Sequence, residues 1–397
     1  MAKNKVFRNY WLRFSSLWNS NIYALSSVWS YVDKHGQIMA DSAEIETAIG
    51  SIKTTSEKDS LWKSSLCYPK PYIANLKDVV ILPGKSIILD NSGRALSDEI
   101  DLSVRIFGLP PKHAAIEAFG GSRLHIDSRN VTTQQIFSGI HLHKEHEANY
   151  FHWIVEVLPR LFICEKLALD YQIPILVSND LHTNLYDLLD RVREPRRAVL
   201  KLEKSCWYRI QRLTYPSDLS RILDVYDRPP STDTTYIPVA LLSEMASSIK
   251  KTAMPSMTVQ KKRIFLRRGP TYRKLLNEAD VEKMLEDYGF ETINLSEMSI
   301  EEQIGLFLQV DVVVGPSGAG MTNMIWCEPS TKFLILHSDH PFKKYPYWDA
   351  LGRVSGSQIN YFSGPRAFNM TGHYEAHDDY SVDLQALRPR IEALLNE

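Results

Sequence analysis

Apolar runs and amphipathic stretches alternate in a regular order through the C-terminal half of the chain. Arg263–Arg267 reads as a strand, and Asn277 opens a helix in which Val281, Met284, Leu285 and Tyr288 recur at helical spacing until Gly289 ends it. Glu291–Leu295 is a second strand. Ser299 with Glu302 forms a capping box ahead of a helix carrying Ile300, Ile304 and Phe307. The β-branched run Val312–Val314 is the next strand, a helix follows from Asn323 to about Cys327, and Lys332–Leu336 is a fourth strand. Strands alternating with single helices at this spacing predict right-handed crossovers and a parallel sheet, with ligands beyond the carboxyl ends of its strands.

The N-terminal half is less regular. Its strand candidates are Asp78–Leu82, Ser86–Leu89, Ile173–Val177 and Arg197–Leu202, with helices around 151–168 and 181–192, which makes a second α/β region. Residues 216–260, with Pro229, Pro230 and the Ser/Thr-rich Ser231–Thr235, contain the expected interdomain linker. The divisions expected are 1–235, a linker and helix at 236–257, a C-terminal domain at 258–365, and a tail with a last helix, roughly Leu384–Leu395, at 366–397.

Composition narrows the class. At 397 residues the chain has room for two or three domains, and 44% hydrophobic with 23% charged residues is ordinary for a globular protein. A formal net charge of -1 argues against a general nucleic-acid binder. Cys67, Cys164, Cys206 and Cys327 form no C-x-x-C pair, so reduced thiols and a cytosolic setting are expected. The basic, aromatic N-terminus lacks the apolar core and cleavage site of a secretory signal, and no charge-free apolar run reaches about 18 residues.

The richest local signal is Asp311–Asn323, a β-branched strand breaking into glycines and then into a helix. That order lets backbone approach a phosphate and turns free helical N–H groups toward it, although glycines also serve plain tight turns. Gly315, Gly320 and Thr322 match a nucleotide-triphosphate loop, but Met321 stands where its lysine belongs, which disfavours an ATPase or kinase. The glycine order also fails the dinucleotide fingerprint. A cationic cluster, Arg267, Arg268, Arg273 and Lys274, follows the first strand of this half and would share the sheet edge with the glycine turn.

On the helix around 151–168, His152, Glu156 and Arg160 make one polar stripe at i, i+4 and i+8 on an otherwise apolar surface. Buried polar groups need partners, so either Glu156 and Arg160 satisfy each other or the stripe opens on a cleft and supplies a histidine base with an orienting carboxylate. His141, His143 and His146 match no common zinc spacing and read as part of a solvated segment, so no metal is expected.

In chain order these motifs resemble the family 61 glycosyltransferases: Asn149-Tyr150-Phe151-His152-Trp153 with Glu156, Pro159 and Arg160; Arg267, Arg268 and Arg273; Asn277 and Glu278; Glu302, Gln303 and Phe307; then Gly315 to Asn323. The resemblance covers about residues 140–365. It implies a GT-B architecture, two Rossmann-like domains facing across a cleft, and inverting sugar transfer with no obligatory metal or cofactor. The donor is expected to be a nucleotide sugar, a UDP-sugar first, held by Arg267, Arg268, Arg273, Asn277, Glu302, Ser317, Gly318, Ala319, Gly320, Thr322 and Asn323. The N-terminal domain then presents a glycan or lipid-linked glycan acceptor near Asn149, Trp153 and Arg160, with His152 or Glu156 as base. Bacterial surface or capsular polysaccharide synthesis, at the cytoplasmic face of the inner membrane, is the setting this implies. Two positions depart from the family pattern: Ser317 stands where histidine is usual, and His337 where an acid is usual. A non-catalytic nucleotide- or carbohydrate-binding protein of the same fold, and a P-loop-like phosphotransferase, are the alternatives.

Overall fold

The computed structural model describes residues 21–35, 38–41, 43–45, 70–107, 116–120, 123–126, 132–223, 235–252, 261–269, 273–339, 345–367 and 378–396. The linker candidate Pro229–Ser231, the basic N-terminal stretch and Cys67 lie outside them.

In the C-terminal half the strands pair in the order Glu291–Ile293, Lys262–Leu266, Val310–Pro316, Lys332–Ser338 and Gln358–Gly364. Every neighbour is parallel, as the alternation of strands and helices predicts. The three inner strands are apolar on both faces over most of their length, which is what a sheet covered on two sides requires. Ile264, Val313, Phe333 and Ile335 point into one core, while Phe265, Val312, Val314, Leu334 and Leu336 point into another. The second of these cores is closed by the helices Glu278–Glu286 and Leu384–Asn396, through Val281, Leu285, Leu387 and Ile391. The last helix therefore belongs to this sheet. Gly289 ends the first of these helices as expected: at φ 74° it turns left-handed and lets the Phe290 N–H reach the Leu285 carbonyl at 3.2 Å.

The N-terminal half builds an eleven-stranded mixed sheet. Val199–Leu202, Ile175–Ser178, Thr132–His141 and Cys206–Pro216 are mutually parallel, and beyond them Ile73–Ile81 and its further neighbours are mostly antiparallel. Only the parallel part resembles the sheet of a Rossmann-like unit.

The two sheets face one continuous apolar core. Leu158–Lys166, Thr183–Val192 and Val239–Lys250 from one side meet Ile300–Phe307, Ala319–Trp326 and Pro346–Ser355 from the other, and residues of all six are buried together. None of the described helices is long and apolar enough to cross a membrane.

Candidate functional site

The parallel strand Thr132–His141 runs out at its carboxyl end into a short loop, and Asn149 there starts a helix by accepting the Phe151 N–H at 2.9 Å. The helix Tyr150–His152 passes through a π-helical turn, Trp153–Val157, before becoming α-helical again over Leu158–Lys166. A π turn carries one residue more than an α turn and is frequent at functional sites. Here it rotates Arg160 off the stripe that His152 and Glu156 share. Glu156 Oε2 meets His152 Nδ1, and the Glu156–Arg160 pair does not form. Arg160 instead donates to the carbonyls of Pro216 and His141, both at 2.9 Å, beneath the Tyr215 ring. Trp153 is wholly inside the core, so the structure puts neither it nor Arg160 where an acceptor would touch it. His152 keeps 21% of its side chain exposed and is the open member of the dyad.

The segment expected to be solvated is largely interior. His141, His143, Lys144 and Glu147 are buried, while His146 is exposed and Glu145 pairs with Lys85. The cause is its origin: it continues directly from a buried strand end, and the Gly84 N–H closes over it onto His143 Nδ1 at 3.2 Å. Burial, reinforced by His143, Arg160 and Lys144, lowers the His141 pKa well below the ordinary value, so its ring is neutral. Burial also works against the Lys144 ammonium. Asp218 at 2.9 Å, Glu99 at 3.0 Å and Glu156 at 3.9 Å outweigh it and hold the lysine pKa well above the usual. Among the described residues no group of three or more His, Cys, Asp or Glu has an arrangement that would hold a metal ion.

Across the shared core, Val310–Pro316 ends in the glycine turn. Gly315 allows close strand approach, since a Cβ there would lie 2.8 Å from the Leu266 carbonyl oxygen. The turn then enters a 3-10 helix, Ala319–Trp326, where an α-helix was expected. Its leading N–H groups at Ala319 and Gly320 have no helical carbonyl behind them, and Gly318, Ala319 and Gly320 are partly open. Ser317, Thr322 and Asn323 are buried. Asn323 serves the frame: its Oδ1 accepts the Tyr150 hydroxyl at 2.7 Å, and its Nδ2 donates to Gln303 Oε1 at 3.1 Å.

The cationic cluster divides in a similar way. Arg268 Nη1 donates to the Ser317 carbonyl, and a Cβ on Gly318 would meet that guanidinium at 2.9 Å, so Arg268 covers the turn. Arg273, held at φ 62°, lies with Arg268 near Tyr345: both cations, and a hydrogen bond to Ser317, oppose the rise that burial gives the phenol. Arg267 is turned outward, half exposed and paired with Glu282. It borders an open groove of about 440 Å³ shared with Arg268, Gly269, Lys274, Glu278 and Asn294. Asn277 clamps the chain at Val382 with bonds of 2.8 and 3.1 Å, and Glu302 closes the predicted capping box with Ser299. Both therefore have structural work away from the turn. His337, the second departure, stacks edge-on against Tyr345 at 5.1 Å.

One aromatic layer joins the dyad to the turn. Phe151 lies 5.2 Å from the His152 ring and 5.4 Å from the Trp348 ring, and Trp348 Nε1 donates to Ser317 Oγ at 3.2 Å. His152 and Glu156 thus stand at the carboxyl end of one parallel array and Ser317–Gly320 at the carboxyl end of the other. Sequence reasoning had found both ends, with Tyr150 and Gln303 as motif residues of no assigned role, but missed Tyr345, Trp348, Lys144 and Asp218, which help to fasten them. Buried Tyr and Trp carry a polar handle that needs a partner, and that is the signal by which Trp348 could have been found.

Residues 150–334 match the family model described as Glycosyltransferase 61. The matched span begins at the helix of the dyad and ends inside the strand that follows the glycine turn, so it holds His152, Glu156 and Ser317–Asn323, while Lys144, Tyr345 and Trp348 lie outside it, and it supports a glycosyltransferase of family 61. No curated protein gives a significant match.

Proposed function

We propose that this protein transfers a sugar from a nucleotide-sugar donor to a glycan hydroxyl, with inversion, in a GT-B-like arrangement. The observation that carries the reading is the approach of the His152–Glu156 dyad to the glycine turn across the single Phe151–Trp348 layer.

In this reading the donor diphosphate lies on Gly318–Gly320, against the leading N–H groups of the 3-10 helix, with Arg268 and Arg273 balancing its charge. The groove beside Arg268 and Asn294, at about 440 Å³, is of a size to take the nucleoside. His152 Nε2 takes the proton of the acceptor hydroxyl as its oxygen attacks the anomeric carbon and the bond to the diphosphate breaks. Glu156 holds the ring by Nδ1 and stabilises the imidazolium that forms. Stabilising the leaving diphosphate more than the bound donor is where most acceleration arises. Ser317, occupied by Trp348, acts by holding the turn, and the guanidinium groups supply the charge.

Replacing Arg268 with alanine is expected to weaken binding of a UDP-, GDP- or CMP-sugar in calorimetry at least tenfold, while Arg267→Ala, at the rim, costs about threefold or less. Unchanged donor affinity in R268A would overturn the assignment of the diphosphate. Donor binding without turnover over an acceptor panel would favour a binding protein instead.

A further inference from the structure

The cluster behind the dyad has no part in the reaction as written. Lys144 is buried and comes from the loop after Thr132–His141, and it gathers carboxylates from three other segments. Its Nζ is 3.0 Å from Glu99 Oε2, on the helix Asp98–Phe107, and 2.9 Å from Asp218 Oδ2, beyond the strand Cys206–Pro216. The third is Glu156 Oε1, 3.9 Å away on the π turn, while the other oxygen of that carboxylate faces His152. Glu156 therefore has an imidazole on one side and an ammonium on the other. Arg160 Nε at 3.9 Å from Asp218 Oδ1 is the second cation, and its remaining bonds go to backbone carbonyls.

We propose that Lys144 is a positioning residue for the dyad: its ammonium offsets Asp218 and Glu99, faces Glu156 from the Oε1 side, and so holds Oε2 on His152 Nδ1, which fixes the ring with its hydrogen on Nδ1. Without Lys144, the buried Glu156 and Asp218 and the half-buried Glu99 would be left with Arg160 beside Asp218 as the remaining cation, and like charges at such range repel one another. A Glu156 side chain no longer held from that side can leave Nδ1, and the ring loses its single tautomer. The role rests on the proposed base function of His152, but the arrangement of the ring is testable without it.

The groups facing the dyad and its support are Lys144, Glu99, Asp218, Asp98, Arg160, His141, His143 and His146, the last with its ring 5.2 Å from His152. Removing a cation from this set raises the pH at which the dyad takes up its proton, and removing an anion lowers it.

Lys144→Met, Asp218→Asn and the double variant test this by transfer kinetics against pH and by ¹⁵N NMR of the imidazole. K144M is expected to lose about 100-fold in kcat, the scale of a general base, with the donor KM within about twofold. Its acidic limb should move up by about one pH unit and the His152 nitrogens should show mixed tautomers. D218N should move the limb down, and K144M/D218N should return limb and tautomer toward the native ones. Loss of activity in K144M with limb and tautomer unmoved would overturn the proposal, as would an unmoved limb in D218N if K144M does not fold. If the native protein shows no transfer, the base reading fails, and an Nδ1–H tautomer that survives K144M would separately refute the positioning role.

Discussion

Tyr150 puts one hydroxyl between the two halves of the molecule. It donates to Asn323 Oδ1 at 2.7 Å and accepts from Trp326 Nε1 at 3.1 Å, and burial raises its pKa so that it remains a donor at any working pH. Tyr150→Phe removes the oxygen and little else. It leaves an amide oxygen and an indole N–H without this partner, in two residues that are wholly buried. Each such group costs about 1–3 kcal/mol, so the loss is about 2–6 kcal/mol. With an unfolding entropy of about 2.1 cal/mol/K per residue, a unit of 397 residues shifts by roughly 1 °C per kcal/mol, and Y150F should melt about 2–6 °C below the native protein in calorimetry. Asn323→Ala should overlap with it, so the double variant should lose less than the sum of the two. A Y150F protein that melts within about 1 °C of native, or strict additivity with N323A, would refute the bridge.

Two further substitutions test the frame, alongside the donor-binding and dyad variants described above. Asp98 is buried under Tyr72 and Tyr215, and burial raises its pKa to about 6 from 3.8. The folded state thus holds this proton more tightly than the unfolded one, so its contribution is most favourable below about pH 4 and is lost as pH rises to about 6, by roughly 3 kcal/mol. The stability of native protein relative to Asp98→Asn should fall by that amount in urea melts between about pH 4 and 7, and a pH-independent difference would count against a buried, protonated Asp98. Gly315→Ala sets a Cβ 2.8 Å from the Leu266 carbonyl, on backbone that cannot yield cheaply, and should cost about 1–3 kcal/mol by the same melts. Native stability in G315A would mean the strands can move apart.

The C-terminal sheet was legible because its information is local. Val312–Val314 and Phe333–Leu336 are apolar at every position, Ser299 and Glu302 sit at capping-box spacing, and Gly289 terminates its helix where only a left-handed residue fits. Thr132–His141 was invisible for the opposite reason: Thr132–Gln135 are exposed and polar, and the strand is held by long-range pairing with Cys206–Pro216. Counting i, i+4 along His152, Glu156 and Arg160 assumed an unbroken α-helix, and the π turn changed the partners. Charge alone could not separate Arg267 from Arg268, because two adjacent strand-end residues point to opposite sides. Charge also misjudged Lys144, since a lysine followed by two nearby glutamates reads as surface until three distant carboxylates converge on it.

The apolar core shared by the two sheets has a consequence for biosynthesis. Leu158–Lys166 and Thr183–Val192 bury their apolar faces with Ile300–Phe307 and Pro346–Ser355, more than a hundred residues downstream. A nascent chain that has completed its first sheet therefore leaves the ribosome with those faces open, and a fragment cut between the halves keeps them open. The second half thus covers apolar faces of the first, including those of the helical segment that carries His152 and Glu156.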